Sequence, residues 1–122
     1  MQFERESVTE PNAIVGCADG EIRLRSATYT ASLIVTRGGV LDAWNPPPLE
    51  QLVVEDFAPL FGQPPDVLLL GTGRRQRMPP PALFAALAAR GIGLEAMDNR
   101  AACRTYNLLL SEFRNVAVAL YV

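Results

Sequence analysis

Histidine is absent from the 122-residue sequence. Because histidine is the usual base for serine and cysteine nucleophiles, its absence excludes Ser-His-Asp and Cys-His catalysis in their usual form. It also removes the commonest transition-metal ligand. An enzyme built on this chain would depend on carboxylates, arginine, tyrosine, cysteine or a borrowed cofactor. We therefore expect no metal site, no resident cofactor and no catalytic set, and the sequence favours a protein that is not an enzyme.

Cysteine is scarce, and lysine is missing altogether. Only Cys17 and Cys103 are present, and they form no Cys-x-x-Cys pair, so neither a disulfide framework nor a zinc cluster is indicated. Both are predicted to be free thiols. Cys103 is predicted to be a buried structural residue, because no base accompanies it that would make it a nucleophile.

A strong positive charge is also lacking, since the formal net charge is −2. Without a basic field, we expect no nucleic-acid partner. No apolar run approaches the roughly 20 residues that span a bilayer, so no transmembrane segment is predicted. The first ten residues, MQFERESVTE, lack the apolar centre of a signal peptide. A cytoplasmic location is the resulting expectation.

The length favours one domain over residues 1–122, with an irregular N-terminal segment at 1–20. Alternating or β-branched apolar runs predict strands, and apolar residues at helical spacing predict helices. Strands are predicted at 21–25, 32–36, 40–44, 67–70, 92–97 and 116–122, and helices at 49–61, around 83–88 and from 99 to 113.

The second half of the chain alternates strand, helix, strand, helix, strand. This order predicts an α/β fold, a three-layer single domain with a central mixed, mostly parallel sheet and helices on its faces. Arg37-Gly38-Gly39 joins two strands in an N-terminal β-hairpin region. A sheet this small has edges to protect, and a homodimer is one way to cover them.

Residues 68–81 read LLLGTGRRQRMPPP and place Gly71–Gly73 directly after the predicted central strand. Ligands of α/β sheets collect at such strand ends, and Arg74, Arg75 and Arg77 would offer forked donors to an anion. The third glycine of a dinucleotide motif is replaced by Gln76, and the prolines at 79–81 remove three N–H donors. Nucleotide binding is therefore disfavoured. Two interpretations stay open: a tight turn with solvated or paired arginines, and a site for a small anion or an acidic partner.

A second polar cluster begins the last helix, in the segment DNRAACRTYNLLL at 98–110. Asp98 or Asn99 is a good N-cap, and Arg100, Arg104 and Asn107 fall on one polar stripe. In a parallel sheet this helix start would lie at the same edge as the glycine loop. The predicted cleft residues are Gly71, Thr72, Gly73, Arg74, Arg75, Arg77, Asp98, Arg100, Arg104 and Asn107. The alternative is structural, with Asp98 only capping the helix and pairing with an arginine.

The Gly-Thr-Gly turn and the segment LEAMDNRAACRTYNLLLSEFRNVAVAL resemble a family of small α/β domains from bacteria, archaea and eukaryotes. The matching positions are Gly71, Thr72, Gly73, Asp98, Ala102, Thr105, Tyr106 and Asn107. The family includes the mitochondrial assembly factor three of respiratory complex I and the adipogenesis-associated domain-containing protein. The resemblance implies a three-layer domain with a central mixed sheet, and it provides no established catalytic residues to transfer.

Two functions follow as hypotheses. The first is a bacterial-type, non-catalytic interaction or assembly-factor-like domain with a protein partner, as the mitochondrial relative implies. The second is a protein or enzyme that binds a small anionic ligand between the Gly-Thr-Gly loop and the start of the last helix.

Overall fold

The computed structural model describes residues 10–122. The strands are Ile14–Ala18 (β1), Glu21–Leu24 (β2), Thr28–Tyr29 (β3), Leu33–Thr36 (β4), Gly39–Leu41 (β5), Val67–Gly71 (β6), Gly93–Met97 (β7) and Val116–Leu120 (β8). The α-helices are Pro81–Ala88 (α1) and Asn99–Ser111 (α2), and two 3-10 helices span Leu49–Gln51 and Val54–Leu60. None of the helices within the described range is long and apolar enough to cross a membrane.

A five-stranded mixed sheet forms the centre, in the order β5-β4-β8-β6-β7. β6 pairs in parallel with both β7 and β8, whereas β4 pairs antiparallel with β5 and β8. The parallel part is built by α1 and α2, because parallel neighbours require a crossover connection. The predicted α/β fold with a mixed central sheet is confirmed, but the sheet is not mostly parallel, because two of its four strand pairings are antiparallel.

The central sheet is covered on both faces, so it has two cores. Alternate residues of β6 divide between them: Leu69 belongs to one core, and Leu68 and Leu70 belong to the other. The first core contains α2 and the antiparallel sheet β1-β2-β3, with Tyr106 fully buried. The second contains α1 and the 3-10 helices around Phe57. This double coverage explains why β6 is a continuous apolar run.

The prediction of an irregular segment at 1–20 is wrong over Ile14–Ala18, which form β1. A register shift between Ile14 and Gly16 bulges the strand, so its apolar residues do not alternate in the simple way that marks a strand. Residues 1–9, which that prediction also covered, lie outside the described part of the chain. The short strand β3 was not predicted either.

The single helix predicted at 49–61 is also wrong. Two 3-10 helices replace it, with Leu52 extended at ψ 131° between them. Pro59 lies inside the second of these, where Phe57 departs from helical geometry at φ −107°, ψ 15°. The Asp56 carboxylate accepts the Val53 N–H at 2.9 Å and so favours a new start at that point.

The last helix ends earlier than predicted, at Ser111. Phe113, which was expected on its inner side, has φ 59° and is 75% exposed. The left-handed backbone at this residue ends the helix, in a conformation that costs least for glycine. The hairpin strand β5 likewise stops at Leu41 instead of residue 44.

Candidate functional site

The Gly-Thr-Gly turn after β6 is closed by hydrogen bonds among its own residues and one neighbouring strand. Thr72 is 7% exposed, and its N–H donates to the carbonyl of Met97 at 2.9 Å. Its hydroxyl donates to the carbonyl of Arg75 at 2.7 Å and accepts the N–H of Arg77 at 3.0 Å. The threonine therefore holds the loop in shape from within, as turn-forming hydroxyls do.

Asn99 joins this turn to the end of β8. Its Oδ1 accepts the N–H of Gly73 at 3.0 Å, and its Nδ2 donates to the carbonyl of Tyr121 at 2.8 Å. The carboxamide occupies the space in front of Gly71, where a Cβ would overlap its Oδ1 and lie 2.5 Å from Leu120 Cδ2. Internal packing thus explains the first glycine of the motif.

Asp98 caps α2, as predicted. Its Oδ1 accepts the N–H of Ala101 at 2.9 Å, and its own backbone is extended at φ −67°, ψ 165°. A carboxylate at this position also complements the positive end of the helix dipole. An external anion at the start of α2 would therefore have to compete with Asp98.

A cleft of about 470 Å³ lies between the β1–β2 turn, the Gly73 turn and the start of α2. We name it the α2 cleft. The predicted residues that line it are Gly73, Arg74, Asp98 and Arg100, and the others are Cys17, Ala18, Asp19, Gly20, Asn99, Tyr121 and Val122. Gly73 has φ 101°, which glycine adopts without strain. The structure thus brings four of the ten predicted residues together at one edge of the sheet.

The three arginines of the loop diverge. Arg74 lines the cleft, and its Nε lies 3.4 Å from Asp19 Oδ2, with both side chains more than two-thirds exposed. Such an exposed pair holds its members only weakly. Arg77 pairs instead with Glu50 of the first 3-10 helix, and Arg75 is exposed outside the cleft. Only one of the three therefore faces the proposed site.

Arg104 and Asn107 line a smaller neighbouring cavity of about 280 Å³, which shares Cys17 and Arg100 with the α2 cleft. The Asn107 side chain forms hydrogen bonds within the protein. Its Oδ1 accepts the N–H of Ile14 at 3.0 Å, and its Nδ2 donates to the carbonyl of Ile14 at 2.7 Å. The side chain thus replaces a neighbouring strand along β1 and fixes the small sheet to α2.

The β1–β2 turn forms one wall of the cleft and was missed in the sequence. Asp19 and Gly20 make this two-residue turn, with Gly20 at φ 76°. The dipeptide Asp-Gly in the sequence is a strong signal for a β-hairpin turn. The turn was not predicted because the bulged strand before it shows no alternation of apolar and polar residues.

Tyr121 borders the cleft at the end of β8. Its ring meets Trp44 edge-on at 5.8 Å, and its hydroxyl donates to the carbonyl of Pro47 at 2.8 Å. Burial, followed by the negative charges of Asp56 and Glu50, raises the pKa of Tyr121 to about 12. The hydroxyl is therefore protonated at neutral pH and serves the packing instead of acting as a base.

Arg74 and Arg100, the carboxylates of Asp19 and Asp98, the Cys17 thiol and peptide groups make up the chemistry of the cleft. Across residues 10–122, no group of three or more histidine, cysteine, aspartate or glutamate side chains is placed to hold a metal ion. Burial raises the pKa of the nearby Cys103 thiol, so it is protonated at neutral pH. The lining carries both charges, and its two arginines suit recognition of a polar or acidic surface.

Comparisons with known proteins agree with this fold. The chain matches the family described as "Protein of unknown function (DUF498/DUF598)" over residues 14–121. An NMR structure of a Xanthomonas campestris protein is 42% identical, with a TM-score of 0.78 over 88% of this chain and 82% of that one. The "13 kDa major membrane protein" of Francisella tularensis subsp. holarctica is 27% identical over 96% of each chain.

A relative with a named role is the NADH dehydrogenase (ubiquinone) 1 alpha subcomplex assembly factor 3 of Danio rerio, which is 37% identical over 79 residues. The match covers 63% of this chain and 45% of that protein. This chain therefore aligns with less than half of the assembly factor. Since the family match extends through both sheets and both α-helices, the chain belongs to the DUF498/DUF598 family of α/β domains.

Proposed function

We propose that this chain is a non-catalytic, assembly-factor-like domain that holds a protein partner at the α2 cleft. The partner presents an acidic segment to Arg74 and Arg100, and Tyr121 and Val122, which line the same cleft, offer it apolar surface. Arginine and tyrosine are the residue types that dominate binding energy at protein interfaces.

The observation that supports this proposal is the direction of the loop's hydrogen bonds. The N–H groups of Thr72, Gly73 and Arg77 all donate to atoms of the protein. A phosphate cradle needs such groups free to face the ligand. This turn directs them inward, whereas the Arg74 side chain is 82% exposed at the cleft.

The named relatives support the same proposal. An assembly factor acts through contacts with other proteins, and the matching relative bears that name. The proposal extends only the general role, an assembly-type protein contact, because the match covers 45% of that relative.

Charge reversal at the cleft tests the proposal. Affinity capture from native cells would compare the wild-type chain, Arg74→Glu/Arg100→Glu, and Arg114→Glu as a matched control. Arg114 is exposed and lies just beyond the far end of α2, outside the α2 cleft. Two interface arginines at about 2 kcal/mol each imply a loss of recovery well beyond tenfold in the double variant.

The readout is the ratio of captured protein, measured by quantitative mass spectrometry, between each variant and the wild type. A partner that the wild type and Arg114→Glu recover equally and the double variant loses supports the cleft as the contact. Equal recovery of every partner by all three chains would show that the α2 cleft is not the contact.

Binding of a small anion is a second candidate function, favoured by the two guanidinium groups that line one cleft. The test compares the melting temperature of the chain in inorganic phosphate or sulfate with its melting temperature in chloride at equal ionic strength. A phosphate-specific rise that Arg100→Glu abolishes would favour the anion. If the melting temperature does not rise, binding of a protein partner is the function that stays in agreement with the data.

The cytoplasmic location and the homodimer are further parts of the proposal. A relative bears the name of a membrane protein, so fractionation of native cells is the direct test of location. Light scattering on the purified chain gives the mass in solution and tests the dimer.

A further inference from the structure

Cys17 points toward the first core. It pairs with Ile22 of β2, and directly opposite residues of an antiparallel pair have side chains on the same face. Ile22 is 0% exposed, and Cys17 packs against the same buried cluster that contains Cys103. The bulge between Ile14 and Gly16 allows Ile14 and Cys17, three residues apart, to face inward together.

Asn107 brings Cys103 beside Cys17. Its side chain bonds both backbone groups of Ile14 and so fixes where β1 lies along α2. Because the β1–β2 turn faces the start of α2, the two segments run in opposite directions. Cys103 lies four residues before Asn107, a distance of about 6 Å along the helix. Cys17 lies three residues after Ile14, a distance of at most about 10 Å along the strand. Both steps lead toward one cavity, which Cys17 and Cys103 line together.

Both cysteines line the cavity of about 280 Å³ beside the α2 cleft. Cys17 is half-buried and Cys103 is 5% exposed, and both are free thiols. Arg100 and Arg104 line the same cavity and give it positive charge. Burial, followed by the neighbouring Cys17 thiol, raises the pKa of Cys103. The more accessible Cys17 is therefore the first to react.

We propose that Cys17 and Cys103 form a dithiol site that reacts with a small anionic disulfide of the glutathione class and closes a disulfide between β1 and α2. The arginines of the cavity attract the carboxylates of such a reagent. The site does not depend on the function proposed for the α2 cleft.

The exchange proceeds in two balanced steps. Cys17 loses its proton to solvent, and its thiolate attacks one sulfur of oxidised glutathione, which breaks that disulfide and releases one glutathione thiolate that takes up a proton. Cys103, which is protonated at neutral pH, gives its proton to solvent as its sulfur attacks the Cys17 sulfur of the mixed disulfide, and the second glutathione leaves as a thiolate that takes up a proton. The two protein thiols give up two protons and two electrons, and the two released glutathione molecules take them up.

The test uses reduced wild-type chain, Cys103→Ser and Cys17→Ser, each treated with oxidised glutathione and analysed by intact mass and thiol counting. The wild type is expected to lose both thiols and the mass of two hydrogen atoms, with no adduct. Cys103→Ser is expected to stop at one glutathionyl group on Cys17. Cys17→Ser is expected to keep its buried thiol. Dithiothreitol should reverse each change.

Three results would overturn the proposal. They are a lasting glutathionyl adduct on the wild type, disulfide-linked dimers in place of the monomer, and retention of both thiols. Melting curves of the three reduced proteins verify that the serine variants are folded. If either serine variant does not fold, the wild-type mass and thiol count still decide the question.

Discussion

Replacing Gly71 with alanine is expected to destabilise the fold strongly, because the added methyl group has no space. It would overlap Asn99 Oδ1 and lie 2.5 Å from Leu120 Cδ2. Leu120 is 0% exposed, so it has little freedom to move away. The substitution therefore acts on the connection between the Gly-Thr-Gly turn, α2 and β8.

Two costs contribute to the change in the free energy of unfolding. Crowding a packed position costs about 1–3 kcal/mol. Displacing the Asn99 carboxamide also weakens its hydrogen bonds to Gly73 and Tyr121, which contribute about 0.5–1.5 kcal/mol each. Since partial relaxation avoids paying both in full, we expect Gly71→Ala to lower the free energy of unfolding by about 2–4 kcal/mol.

Urea denaturation monitored by the fluorescence of the single tryptophan, Trp44, measures this change. Gly62→Ala is the matched control, because a Cβ at Gly62 meets no atom within 4 Å. It is expected to stay within about 0.5 kcal/mol of the wild type, or to stabilise it slightly.

A Gly71→Ala protein within about 0.5 kcal/mol of the wild type would refute the packing explanation of the motif. The double variant Gly71→Ala/Asn99→Ala adds a second check. If the methyl group and the carboxamide compete for one space, the double variant loses at least about 1 kcal/mol less than the sum of the single variants. Strict additivity would contradict the argument.

Three further predictions follow from the site. Asn107→Ala is expected to lower the free energy of unfolding by about 1–3 kcal/mol and to speed hydrogen exchange at Ile14, and unchanged exchange would contradict its role. The pKa of Tyr121 is raised from 10.0 to about 12, so its contribution to stability is complete below pH 10 and is lost as the pH rises toward 12. The melting temperature of Tyr121→Phe should therefore fall less between pH 10 and pH 12 than that of the wild type, and an equal fall in both proteins would contradict this. About 10 mM inorganic phosphate is expected to raise the melting temperature no more than chloride at equal ionic strength, and a larger rise would favour an anion site.

Local signals predicted the parts of the fold that local chemistry decides. The alternation of strands and helices after residue 66 gave the parallel half of the sheet, because each crossover needs its helix. Asp98 was predictable as an N-cap because capping depends on the residues that follow directly. The apolar run before Gly71 marked a strand covered on both faces.

The parts that were not predictable depend on long-range contacts. Asn99 is one of two possible caps in the sequence, and its bonds to Gly73 and Tyr121 exist only after three elements meet. Asn107 bonds a strand 93 residues away, so its place on a polar stripe resembled that of a ligand-binding residue. The helix predicted at 49–61 failed because apolar spacing does not distinguish one α-helix from two 3-10 segments.

Photo-crosslinking in native cells tests most directly the claim that a protein partner sits in the α2 cleft. Benzoylphenylalanine would replace Ala18, an exposed residue that lines the cleft, or Ala89, an exposed residue at the end of α1. We predict a discrete heavier product from position 18 and none from position 89, and the product should disappear in the Arg74→Glu/Arg100→Glu background. No product from position 18, or the same product from both positions, would contradict the account.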